Sequence, residues 1–105
     1  KFTIADFPNL TTLNLGNNSL EEVEIKNCPK LEEIIVSHNK LKDLKIENCP
    51  KTAELYASHN QLTSLNFDIK VGNGNSFVDG LRKLQVLSYS DNKLSKEEEN
   101  KLDGL

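Results

Sequence analysis

One pattern, an apolar framework with a fixed asparagine, returns along most of the chain. Leu10-Thr-Thr-Leu13-Asn-Leu15-Gly-Asn-Asn18-Ser-Leu20 is followed 21 residues on by Leu31-Glu-Glu-Ile34-Ile-Val36-Ser-His-Asn39-Lys-Leu41. After another 21 comes Thr52-Ala-Glu-Leu55-Tyr-Ala57-Ser-His-Asn60-Gln-Leu62, and after a further 32 comes Leu84-Gln-Val-Leu87-Ser-Tyr89-Ser-Asp-Asn92-Lys-Leu94. The residues between these copies repeat as well. Leu20-Glu-Glu-Val23-Glu-Ile25-Lys-Asn-Cys28-Pro29-Lys30 aligns with Leu41-Lys-Asp-Leu44-Lys-Ile46-Glu-Asn-Cys49-Pro50-Lys51, and the opening Phe2-Thr-Ile4-Ala-Asp-Phe7-Pro8 takes the same places. This internal repetition accounts for an unusual pair of excesses, 16 Leu and 13 Asn in 105 residues. A unit this short cannot bury its apolar edge alone, so successive units must stack as coils and pool their leucines in one continuous core.

The spacing L-x-x-L-x-L-x-x-N-x-L, with an Asn in place in all four copies, resembles the leucine-rich repeat over nearly the whole chain. Among leucine-rich repeats it is similar to the 21-residue type of internalin-like bacterial surface proteins and of fungal and protist proteins. The expected fold is therefore an α/β solenoid dominated by short parallel β-strands, a right-handed superhelix with a short C-terminal helix. The L-x-L segment should be a parallel strand about 4.8 Å from its neighbour. The alternating half-coil should be a second extended segment in place of the helix of longer repeats. Ser95-Lys-Glu-Glu98 reads as a capping box opening a helix through about Leu102. A single domain spans 1–105, with coils starting near 10, 31, 52 and 84 and an insertion at about 68–80 around Gly72-Asn-Gly74-Asn. Its opening residues match the middle of a coil, and Asp103-Gly104-Leu105 repeats Asp79-Gly80-Leu81, so a fragment of a longer array is expected.

The Asn side chain can bond backbone groups of its own and adjacent coils. Asn18, Asn39, Asn60 and Asn92 should thus form a buried structural ladder. Cys28 and Cys49 occupy one slot in successive coils, and Phe7 fills the same slot before them. Distance alone would suit a bridge, but both Cβ vectors point the same way into the core, so two buried thiols acting as small hydrophobes are expected, without a disulfide.

Chemistry is sparse. Net charge is −3, and no basic face stands out to attract nucleic acid. The longest apolar run, Ile34-Ile35-Val36, is far too short to insert in a membrane. Gly72-Asn-Gly74 lacks the following Lys-Ser/Thr of a phosphate loop. The serines have no His–carboxylate partner at a fixed geometry. Neither an enzyme nor a cofactor is expected. His38 and His59 share a repeat position, which places their rings roughly 5 Å apart. An exposed pair is the favoured reading, and a shared metal the other.

Binding capacity lies where the repeat leaves residues free. On the strand face the central column is Asn14, Ile35, Tyr56 and Ser88. Beside it run Thr12, Glu33, Glu54 and Val86; then Gly16, Ser37, Ser58 and Ser90; then Asn17, His38, His59 and Asp91. The expectation is a protein-interaction module contacting its partner through Glu33, Ile35, His38, Glu54, Tyr56 and His59. The alternative is a peptide- or glycan-recognition region of a secreted or cell-surface adhesin or receptor. On the other half-coil, Glu24–Lys45 and Lys26–Glu47 should pair across coils as a solvated charged face. The sequons at Asn9 and Asn17 leave the compartment open.

Overall fold

The computed structural model describes residues 1–68 and 84–103. Strands alternate between two sheets as the chain coils. β1 (Phe2–Ala5), β3 (Glu22–Lys26), β5 (Asp43–Glu47) and β7 (Asn66–Asp68) form one four-stranded parallel sheet in that order. β2 (Thr12–Asn14), β4 (Glu33–Ile35), β6 (Glu54–Tyr56) and β8 (Val86–Ser88) form the other. Register follows the repeat: Phe2 lies opposite Val23, Thr12 opposite Glu33, and Glu33 opposite Glu54. Val86 lies opposite Glu54 although 32 residues separate them, so the added residues leave the β6–β8 register intact. The inserted segment around Gly72-Asn-Gly74, the Asp79-Gly80-Leu81 motif and the final Gly104-Leu105 lie outside the described residues.

The strands form because their side chains alternate between core and exterior with a period of two. In β3 and β5 the inward residues Val23, Ile25, Leu44 and Ile46 are buried, and the outward ones are charged. From the other sheet Ile34 and Leu55 point into the same core, joined by Leu31, Leu41 and Leu62 at the bends. Thr52, at a place held elsewhere by leucine, is also buried. It keeps the slot by donating its hydroxyl to the Leu31 carbonyl at 3.2 Å. Cys28 and Cys49 are fully buried free thiols, each with Sγ near a carbonyl two residues back, Lys26 O at 3.4 Å and Glu47 O at 3.3 Å.

At the bend after each strand of the second sheet, one amide serves two coils. Asn39 Nδ2 donates to Val36 O of its own coil at 3.0 Å and to Leu15 O of the preceding coil at 2.9 Å, while Oδ1 accepts from Leu20 N at 3.1 Å. Asn60 repeats this with Ala57 O, Val36 O and Leu41 N, and Asn92 with Tyr89 O, Ala57 O and Leu62 N. The first member differs from the expected buried ladder. Asn18 is exposed and, among the described residues, bonds Leu15 O and Gly16 O of its own coil without the bonds between coils that the other three make.

The C-terminal helix, α1 (Lys96–Asp103), begins where Ser95 Oγ accepts from Glu98 N at 3.1 Å. Its acidic first turn complements the helix dipole. The helix packs Leu102 into the core, and Tyr89 donates its hydroxyl to Asp103 Oδ1 at 2.8 Å.

Replacing Asn39 by Ala strips Leu20 N of its acceptor and removes one of the two amide donors on each of Leu15 O and Val36 O. The expected loss is about 1–3 kcal/mol, read from the urea midpoint. Asn14→Ala on the exposed strand face should cost no more than about 0.5–1 kcal/mol, since it removes only the local bond to Gly16 N. Equal shifts would refute the ladder.

Burial raises the Cys49 thiol from an ordinary 9.0 to about 11. A raised folded value means that the unfolded thiol ionises first. The contribution is thus complete below pH 9 and is lost as pH climbs towards 11. Cys49→Ala should give a shallower alkaline decline in stability than the parent chain, measured by urea unfolding across that window.

Candidate functional site

The sheet β2-β4-β6-β8 presents the columns read from the repeat. Its register sets Glu33 beside Glu54 and Ile35 beside Tyr56 on adjacent strands, all four half-buried. Their backbones are held by the parallel ladder, so the side chains stand on a rigid support. Tyr56 donates its hydroxyl to Glu54 Oε1 at 2.7 Å, a bond along one strand that fixes the ring beside Ile35. The Glu54 carboxylate holds the phenol proton, so Tyr56 titrates above the ordinary tyrosine value. Desolvation and the charges of Glu54 and Glu33 push the same way.

At the seventh repeat position the structure departs from the expected exposure. Ser58 is buried, its hydroxyl bonded to Ser88 Oγ and accepting from Ser90 Oγ at 3.1 Å. The side chain at this position leans towards the next coil. A Cβ added to Gly16 would likewise come within 3.5 Å of Ile35 Cγ2. The column is thus closed at Ser58, half-buried at Gly16 and Ser37, and exposed at Ser90.

The eighth position has a backbone reason for its composition that periodicity alone did not reveal. Asn17, His38, His59 and Asp91 all adopt left-handed φ, between 54° and 59°. Asn, Asp and His are the non-glycine residues most enriched in that region. The imidazoles of His38 and His59 are exposed and stacked, with centroids 4.3 Å apart and ring planes 17° apart. Nδ1 of His59 lies 2.8 Å from Asp91 Oδ2. A carboxylate only accepts, so that nitrogen carries the proton. A carboxylate, Asp91, thus continues the histidine column, and it is engaged by the His59 ring itself. Near-parallel stacking directs the ring lone pairs side by side and not towards one point. Among the described residues no group of three or more His, Cys, Asp or Glu is placed to hold a metal ion.

A second left-handed corner went unnoticed in the sequence. Asp6, Asn27 and Asn48 have φ of 64°, 55° and 52°. They form an exposed hydrogen-bonded row, Asn48 Nδ2 donating to Asn27 Oδ1 at 2.9 Å and Asn27 Nδ2 to Asp6 Oδ1 at 3.0 Å. The available signal was the recurrence of Asn immediately before each Cys.

The opposite sheet carries the charges. Glu24 lies opposite Lys45, and Lys26 opposite Glu47, as the repeat places them. These two cross-strand pairs are not the short contacts: Lys45 Nζ–Glu47 Oε1 is 2.9 Å and Lys26 Nζ–Glu24 Oε1 3.9 Å along strands, while Lys1 Nζ reaches Glu24 Oε1 between coils at 3.8 Å. Residues two apart share a strand face, so long side chains reach each other there as easily as across coils. The bond to Glu47 is the first cause raising Lys45, with Glu24 a weaker one.

The family model for leucine-rich repeats, in two copies, matches residues 8–49. The coils within that segment match leucine-rich repeats. The same parallel pairing continues to β8, beyond the matched segment. Leucine-rich-repeat domains are typically non-catalytic and commonly mediate protein–protein contacts. Comparison with curated proteins and with solved structures gave no match. No helix among the described residues is long and apolar enough to cross a membrane.

The Tyr56–Glu54 bond can be read directly. In a Tyr89→Phe background Tyr56 is the sole tyrosine, since the chain has two. Its alkaline absorbance titration should move to lower pH in Glu54→Gln, which removes the carboxylate charge. An unchanged titration would show that the hydroxyl is free.

Proposed function

We propose that this leucine-rich-repeat chain is a non-catalytic binding module whose partner is a protein docked on the exposed face of β2-β4-β6-β8. Its centre is the pair Ile35 and Tyr56, flanked by Glu33, Glu54, His38 and His59. One observation carries the reading: Tyr56 is pinned by Glu54 in register with Ile35, which gives an ordered aromatic–aliphatic pair on rigid strands. Anchors that lose little freedom on binding tend to dominate interface energy, and surrounding polar groups mainly tune rate and specificity. The 21-residue spacing of the first three coils supports the closer likeness to internalin-like proteins. A glycan would prefer several aromatic platforms, and Tyr56 is the one aromatic residue in the described columns of this face.

Affinity purification from the native source followed by mass spectrometry would name the partner, and calorimetry would then rank the residues. Tyr56→Ala should weaken the complex by at least about 1 kcal/mol while the stack stays folded. Glu24→Ala, on the other sheet, should leave affinity unchanged. The reverse ranking would place the partner on the charged sheet.

A further inference from the structure

The two sheets differ in how they balance charge. On β3 and β5 the half-buried carboxylates have cations at hand: Lys26 and Lys1 reach Glu24, and Lys45 reaches Glu47. On β4 and β6 the register sets Glu33 directly opposite Glu54, both half-buried. Among the described residues no Lys or Arg pairs with either carboxylate. The chain has 13 Lys and Arg, yet none stands in the four outward columns of β2-β4-β6-β8. Like charges directly opposite on neighbouring strands repel, and partial burial limits their screening by salt. This face carries negative charge that its own side chains leave uncompensated.

The groups around that charge define what compensates it. Tyr56 donates its hydroxyl to Glu54 Oε1, which leaves the second Glu54 oxygen and, among the described residues, both Glu33 oxygens open as acceptors. The two carboxylates stand on strands about 4.8 Å apart. A lysine ammonium meets such a pair as a point charge, whereas a planar guanidinium offers a fork of donors that can bond both at once. The ring of Tyr56 stands beside them, and an aromatic face attracts a guanidinium. Ile35, in register with Tyr56, supplies apolar surface for the methylene stem that carries it.

We propose that the protein partner enters this face with an arginine, whose guanidinium bridges Glu33 and Glu54, lies against the Tyr56 ring and rests its stem on Ile35. The inference rests on the docking face proposed above and names the chemistry that the face selects.

The test selects a display library of random peptides on the 105-residue chain. Calorimetry then measures the recovered peptides against the parent, Tyr56→Ala and the double variant Glu33→Gln/Glu54→Gln. The recovered peptides should share an arginine and bind at least about tenfold more weakly to the double variant. Replacing that arginine by citrulline, which keeps the shape without the charge, should cost as much, and lysine should restore only part. The urea midpoint of the double variant should equal or exceed the parent's, because a repulsion has been removed. A lower midpoint would give the two carboxylates a structural role and overturn the proposal. A lysine peptide that binds as tightly would overturn the bridge. Peptides that need Tyr56 but neither an arginine nor the two carboxylates would overturn the arginine and keep the docking face. Peptides indifferent to Tyr56→Ala as well, or recovery of none, would overturn both.

Discussion

The bends after β4, β6 and β8 each contain a primary amide that satisfies backbone groups from two coils at once. Only asparagine does this in the space available. Its amide has two donors and an acceptor on a one-methylene stem, whereas aspartate lacks the donors and glutamine would overreach the bend. Because Asn39 and Asn60 reach from their own carbonyls to those of the coil above, they tie the coil period to the strand spacing. The parallel register of both sheets depends on that link. The apolar core then needs only residues of suitable volume, which is why Thr52, Ala57 and Tyr89 can stand where leucine or valine stands elsewhere.

The corners impose a second constraint, on φ. Among the described residues two corners of the first three coils, and one of the fourth, turn the chain through the left-handed region, with Asn, Asp and His instead of glycine. This gives the stacked imidazoles of His38 and His59 a structural reason independent of any ligand. Their placement at the edge of the Ile35–Tyr56 surface follows from the same turn. The paired Asn and Asp side chains at the other corner add hydrogen bonds from coil to coil on the exterior, where water competes and each bond contributes little.

The proposed interaction surface is thus built from residues that neither hydrogen-bonded row uses. Glu54 orders Tyr56, and Ser58 is closed over by Ser88 and Ser90, so the exposed area is narrower there than four columns of free side chains. Its centre is the two middle strands, β4 and β6. The charged sheet behaves differently. Its long side chains pair along the strands and, through Lys1 and Glu24, between coils, so the described outward residues of β3 and β5 are all charged.

The repeat unit, both sets of strands, their register and the C-terminal helix were all legible in the sequence, because period two within a strand and period 21 between coils are properties of spacing alone. The central column, down to Ile35 beside Tyr56, followed from the same arithmetic. Spacing could not reveal what side chains do once neighbours surround them. Ser58 is buried because its hydroxyl finds Ser88 and Ser90, Lys45 turns to Glu47 although Glu24 lies across the sheet, and His59 engages Asp91. Asn18 fits the pattern as well as Asn39 does, yet it stays exposed with half its bonds. Burial and hydrogen bonding belong to the coil on the other side of a residue, and the sequence of one coil does not contain that neighbour.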